Sequence, residues 1–393
     1  KYPEDHRRNR SILDLYEPGS TFKIVTMSAL LEERVTTPDE VIDCRAGTAR
    51  IAGKVYREAK RSFEDLTLTQ VIAKSSNIGT VKLALRLGEE RLHHYVDSFG
   101  FGRKTGVDLP GEENGLFRPV TQWSKISIGA ISIGQEVGVT PLQMVRAASA
   151  IANGGNLVKP HVVRQILSPE GSLLFSQKPE KKRILSESTT RQARRIMTTV
   201  VLEGTGRSAQ LKGYSSAGKT GTAQKIVDGK YSRSKYVGSF LGFAPADDPA
   251  LVCLVVINEP EGLPWGGRVA GPAFKEIMEL ALIHQGIPPD LPVELATPQI
   301  QMAKAKRPKT RNKALKQGIS EVTAQPDQVL LAEHFSETVL TVLESETEER
   351  AENHKLTVSL STEALPDFTG RTLRQVARDC ARLSLKLKIN GAG

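Results

Sequence analysis

Apolar residues recur at helical spacing through the first half of the chain. From Pro18 to Glu33, PGSTFKIVTMSALLEE opens on a Pro-Gly stop, places Ser20 at an N-cap position and sets Ile24, Met27, Leu30 and Leu31 on one face. This predicts a buried helix with Ser20 at its mouth. Leu66 to Leu85 reads as a second helical region broken near Ser75, and Pro141 to Asn153 as a third, closed by Gly154 and Gly155. A fourth runs from about Glu187 to Leu202. Then the period changes. Tyr214 to Lys225, Lys235 to Pro245 and Ala250 to Pro260 are apolar or alternating runs separated by polar turns, the pattern of an antiparallel meander. Pro272 to Ile283, with Phe274, Ile277, Met278, Ala281 and Leu282 on one face, closes the region as an amphipathic helix. Helices and antiparallel strands segregate, which predicts an α+β fold.

Beyond about Ile287 the chain becomes Pro-rich, then basic, then acidic at Glu344 to Glu349, the composition of a linker. The expected division is therefore a domain over 1–290, a largely disordered linker over 291–355 and a small α/β module over 356–393. In that last segment Leu373, Val376, Ala377, Cys380 and Leu383 form a helical stripe, and Leu385, Leu387 and Ile389 alternate as a strand.

Composition narrows the function classes. The 393 residues are 39% hydrophobic and 25% charged, ordinary globular values, so general disorder is excluded. The net charge of +10 owes much to the tract from Met302 to Lys316, where no aromatic residue interleaves with the cations for base stacking. Nucleic acid is set aside as a partner. Cys44, Cys253 and Cys380 are odd in number and show no C-x-x-C spacing, so neither zinc nor a disulfide framework is indicated. His93 and His94 diverge as neighbours on a helix and read as surface or packing residues, so no metal is expected. No run reaches 18 continuous apolar residues and the first residue is Lys, which reads as a fragment whose signal or anchor segment is absent or cut away.

Three short motifs carry candidate chemistry. Ser20-Thr21-Phe22-Lys23 sets a hydroxyl and an amine three residues apart on one helical face, the geometry that activation of a serine nucleophile requires. Taken alone, such a motif is more often a Ser N-cap followed by a solvated Lys. Ser75-Ser76-Asn77 falls at a break between helical stretches and offers a hydroxyl and an amide to a cleft, or simply caps a turn. Lys219-Thr220-Gly221-Thr222 lies on the first strand of the meander, where Gly221 leaves the edge open for an extended substrate, unless the strand is an ordinary edge with a protective Lys. Gly213 to Thr220, GYSSAGKT, also satisfies the phosphate-loop pattern of nucleotide hydrolases. That pattern needs a strand before Gly213 and a helix from Lys219, and neither is signalled.

S-x-x-K, S-x-N and K-T-G in this order form the known signature of penicillin-binding proteins and class A β-lactamases. The stretches NRSILDLYEPGSTFK, KSSNIGT, SIGQEVGVTPLQMVRAASAIANGG and AGKTGTAQ extend the likeness from Asn9 to about Gln285, and together they resemble class B penicillin-binding proteins. The resemblance implies the penicillin-binding transpeptidase/serine β-lactamase-like fold, an antiparallel sheet flanked by helices. It also implies a serine D,D-transpeptidase that cross-links peptidoglycan in division or elongation, with no cofactor. Residue by residue, Ser20 becomes the nucleophile, Lys23 its base, Ser75 the proton relay to the leaving group and Asn77 the holder of the substrate amide. Thr220 and Thr222 would hold the terminal carboxylate beside Lys219 and Gly221, and the backbone N–H groups of Ser20 and Thr222 would form the oxyanion hole. Lys219 would be the cation that lowers the Lys23 pKa.

The implied partners are stem peptides ending in D-Ala-D-Ala, β-lactam antibiotics and membrane proteins of the divisome or elongasome such as a glycosyltransferase. The implied location is the outer side of the bacterial cell membrane. A β-lactamase or a β-lactam sensor is the alternative, although the chain contains no Leu-Asn dipeptide and so lacks the E-x-x-L-N element of class A lactamases. The tail from Ala364, ALPDFTGRTLRQVARDCARLSLKLKINGAG, resembles the first part of a PASTA module. Only nineteen residues precede Ser20, so the sheet is expected to lack the strand that the family places before its serine helix.

Overall fold

The computed structural model describes residues 8–59 and 63–292. The expected linker, save its first two residues, and the PASTA-like tail lie outside them.

The serine helix, Lys23–Glu32, sits at the centre of the fold with every residue from Lys23 to Leu31 buried. A helix apolar around its whole circumference is stable only when wrapped by other elements. Here the wrapping comes from Leu68–Ala73, Asn77–Leu87, Glu89–Ser98 and Glu187–Leu202, which share one core with it through Phe22, Met27, Leu30, Val71, Leu83, Val96 and Met197. The expected break near Ser75 separates Leu68–Ala73 from Asn77–Leu87. Thr67 starts the first of these with a capping box to Gln70, and Ser76 caps the second by accepting from Gly79 N at 3.0 Å. The helices Pro141–Ala152 and Glu187–Leu202 fall where periodicity places them.

The meander is present as Ala217–Val227, Lys230–Ala244 and Leu251–Asn258, a three-stranded antiparallel sheet with Lys230–Ala244 in the middle. Alternation along the middle strand assigns its faces. Leu241 and Phe243 point to the helical core, whereas Phe240 and Ala244 point to the closing helix Gly271–His284. That helix docks through Phe274, Met278 and Leu282, with the Phe274 and Phe240 ring centroids 4.6 Å apart. Ile277, expected on the buried face, is 50% exposed, because the stripe that meets a flat sheet is one row of side chains wide. The first strand begins at Ala217 rather than Tyr214. Tyr214 instead donates its hydroxyl to the Ile287 carbonyl, and Ser215 N donates to the Asp290 carboxylate at 2.8 Å, tying the end of the domain to the strand entrance.

Two hairpins are among the short elements that the sequence pattern did not signal. Thr48–Ile51 and Lys54–Arg57 form a hairpin whose Ile51 and Tyr56 pack on Ile78, Val81 and Ile133, and the Tyr56 hydroxyl donates to the Ile126 carbonyl at 2.6 Å. A second hairpin, Gln165–Leu167 with Leu173–Ser176, is exposed along its length. His93 stacks on Phe117 and lies against Trp123, a packing role. Among the described residues, no helix is long and apolar enough to cross a membrane.

Candidate active site

Ser20 is not an N-cap. It lies within a 3-10 turn, Gly19–Phe22, that runs directly into the serine helix. The reason is tertiary. Gly19, at φ +53, donates its N–H to the Gly134 carbonyl at 3.0 Å, and a Cβ on Gly19 would stand 3.2 Å from Ala223 Cβ and 3.3 Å from the Thr222 carbonyl. The serine turn is thus wedged between the Gly134 loop and the first strand of the sheet. Gly134 permits the fit: its φ is +81, and a Cβ there would fall on the Gly19 carbonyl. Gly134→Ala is expected to cost about 1–3 kcal/mol in backbone strain and a further ~1–3 kcal/mol in overlap. That loss lowers the melting temperature by roughly 5–20 °C. A thermal melt matching wild type would contradict this packing.

Gly221 also differs from expectation. A Cβ on it would meet the Ser239 hydroxyl and lie 2.9 Å from Thr21 Cγ2. Its bare α-carbon therefore serves close packing of the serine turn on the strand, not access for substrate from that face. Opposite Gly221 in register is Ser239, and Thr220 and Thr222 point the other way. The Thr220 hydroxyl pairs with Thr205 Oγ1 at 2.7 Å, and the Thr222 hydroxyl accepts from Gly266 N at 3.1 Å, leaving its own proton available. Thr205, whose N–H also bonds the Ala73 carbonyl, was not signalled by the sequence.

The two lysines meet at Ser75. Lys23 Nζ donates to the Ser75 carbonyl at 2.8 Å, the Ser76 carbonyl at 3.2 Å, Asn77 Oδ1 at 2.8 Å and Ser75 Oγ at 3.3 Å. Lys219 Nζ donates to Ser75 Oγ at 2.9 Å and to the Thr220 carbonyl at 3.1 Å. Ser75 reaches both because its backbone is left-handed, at φ +60, which turns its carbonyl and hydroxyl toward the serine helix. This conformation costs a non-glycine residue about 1–2 kcal/mol and is held by the helices on either side.

Both side chains are fully buried, at 0% exposure, and burial disfavours the ammonium form. Desolvation pushes Lys23 down to about 7, opposed by the negative charge of Glu58. Lys219 is held well below the usual lysine range, first by burial and then by repulsion from Lys23. Its hydrogen-bond partners are neutral, so of two cations sharing one hydroxyl it is the one destabilised without compensation. Asn77 also differs from expectation: Oδ1 accepts from Lys23, and Nδ2 donates to the Arg57 carbonyl at 3.0 Å. Both ends of its amide serve the protein.

Among the described residues, no hydrogen bond joins the Ser20 hydroxyl to the Lys23–Ser75–Lys219 network; its neighbour Gly19 packs against Thr222 and Ala223 of the first sheet strand. The phosphate-loop reading fails on geometry. Ala217–Val227 is a strand with Lys219 buried inside it, so no helix N-terminus is present there to cradle phosphate.

An antiparallel sheet backed by helices, with S-x-x-K, S-x-N and K-T-G converging where the serine turn meets the first strand, defines the penicillin-recognising serine class. The family description penicillin binding protein transpeptidase domain matches residues 2–279, and the chain belongs to that family. It is 43% identical over 293 residues to stage V sporulation protein D of Bacillus subtilis, covering 73% of this chain and 45% of that protein. It is 36% identical over 291 residues to the peptidoglycan D,D-transpeptidase FtsI of Escherichia coli, covering 73% of this chain and 47% of that protein. A solved structure, penicillin binding protein 3 of Mycobacterium tuberculosis complexed with aztreonam, superposes with a TM-score of 0.68 at 34% identity, over 74% of this chain and 69% of that one. The chain thus spans about half the length of the curated relatives it matches.

Proposed function

We propose that this chain carries the acyl-transfer centre of a peptidoglycan D,D-transpeptidase. The observation that carries the reading is the Ser75 hydroxyl, shared by two buried lysines at the foot of the serine helix. Such a hydroxyl can pass a proton between the nucleophile's base and a leaving group. Ser20 Oγ attacks the penultimate D-alanine carbonyl of a stem peptide and Lys23, in its neutral form, takes the proton. The amide C–N bond breaks, D-alanine leaves with a proton relayed through Ser75, and the peptide stays on Ser20 as an ester. The amine of a second stem peptide then attacks that ester and regenerates Ser20. The N–H groups of Ser20 and Thr222 hold the oxyanion.

The free hydroxyl proton of Thr222, with the Thr205–Thr220 pair beside it, suits the terminal carboxylate. An arriving carboxylate favours the protonated form of Lys219, and the repulsion then lowers Lys23 further, priming the base. Asn77 orients Lys23 first, and reaches substrate only by exchanging one of its two protein bonds. The substrate side of the reading includes β-lactams as acylating mimics, a site of action outside the cell membrane, and a membrane glycosyltransferase as partner.

The test is incubation with a donor stem peptide ending in D-Ala-D-Ala and an amine acceptor. Release of D-alanine with formation of a cross-linked dimer is expected. Rapid hydrolysis of β-lactams without dimer would establish the β-lactamase alternative instead.

A further inference from the structure

The S-x-N turn, which contributes three of the four acceptors around Lys23 through its backbone and Asn77, is itself gripped from outside the known motifs. Ser76 Oγ donates to Glu58 Oε1 at 2.5 Å, Asn77 N to Glu58 Oε2 at 2.8 Å and Ile78 N to Glu58 Oε1 at 3.1 Å. The residue before it, Arg57, accepts the Asn77 side-chain amide through its carbonyl. The geometry points to Glu58 as a positioning residue for acylation: its carboxylate clamps the Ser76-Asn77-Ile78 turn and thereby sets where Asn77 and the Ser75 and Ser76 carbonyls hold Lys23. This rests on the serine acyl-transfer reading above.

Three observations carry it. First, both carboxylate oxygens are used on this turn, so the group fixes orientation as well as distance. Second, Glu58 is supplied by an anchored element. The hairpin that ends at Arg57 packs Ile51 and Tyr56 on Ile78 and Val81 of the very helix whose start Glu58 holds, so the carboxylate is carried by an element anchored on that helix. Third, the carboxylate acts on Lys23 by charge, favouring its protonated form against burial. The titratable groups about Lys23 are Glu58, from the end of the hairpin, and Lys219, from the first sheet strand. They bias it in opposite directions.

The experiment uses the full chain with Glu58→Gln and Glu58→Asp. Acylation by a fluorescent penicillin is followed as a second-order rate across pH, beside thermal melts. In Glu58→Gln an N–H2 group replaces one acceptor and the charge is gone. Acylation is expected to slow about 10- to 100-fold from misplacement of the base. Its acid limb moves to lower pH, because Lys23 loses the charge that helped it hold a proton. A residue that merely capped the helix would lower the melt and leave that limb in place. Glu58→Asp keeps the charge but withdraws the carboxylate by one methylene, so its rate falls several-fold with the limb unmoved; this variant decides the matter if the Gln form fails to fold. Normal acylation of wild type with Glu58→Gln within twofold of it and the limb unmoved would overturn the inference. Absence of any acylation in wild type would overturn the acyl-transfer reading, and this one with it.

Discussion

Lys23→Ala is expected to acylate with benzylpenicillin about 10²- to 10⁴-fold more slowly than wild type, the range that a positioned general base supplies. Lys23 is fully buried and its Nζ makes four hydrogen bonds, all to the S-x-N turn, so no solvent-exposed amine can take its place. Wild-type acylation should also rise with pH through about 7, where Lys23 loses its proton, and flatten above. The rising limb should be missing from the residual rate of Lys23→Ala. The measurement is the stopped-flow or gel-based acylation rate from pH 5 to 9. A variant rate within tenfold of wild type, or a wild-type profile flat across pH 7, would remove Lys23 from the role of base.

Lys219→Ala is expected to slow acylation about 10²-fold, since Ser75 Oγ loses its 2.9 Å partner and keeps only the 3.3 Å bond from Lys23. Its pH profile carries the sharper information. Lys219 and Lys23 repel when both are charged, so removing Lys219 lets Lys23 keep its proton to higher pH, and the acid limb moves up. The shift is opposite in sign to that expected for Glu58→Gln. Identical profiles for wild type and Lys219→Ala would show that the two ammonium groups are not coupled. The same change should weaken saturation by substrates with a terminal carboxylate more than by analogues lacking it.

Much of this fold could be read from periodicity because its elements are long. The helix Glu187–Leu202 and the meander carry ten or more patterned residues between clear breakers, and each falls within a few residues of expectation. Short elements defeated the same reading. The hairpin Thr48–Arg57 has four-residue strands with only Ile51 and Tyr56 buried, too few positions to establish an alternation. With the hairpin unread, Glu58 stayed invisible as a neighbour of Asn77. The three motifs were legible as words, but their mutual geometry was not. Nothing in S-x-x-K shows that Gly134, over a hundred residues away, forces Ser20 into a 3-10 turn instead of a cap. The Thr205–Thr220 pair and the role of Gly221 against Thr21 likewise arise only when the serine turn docks on the sheet.

Covalent acylation of Ser20 can be read from intact mass spectrometry of the purified chain after incubation with benzylpenicillin, with Ser20→Ala as the control. A stable gain of one penicilloyl group is expected on wild type, localised to the peptide containing Ser20, and none on Ser20→Ala. An unmodified wild-type mass under conditions where the protein gives a cooperative melt, or an equal adduct on Ser20→Ala, would contradict it.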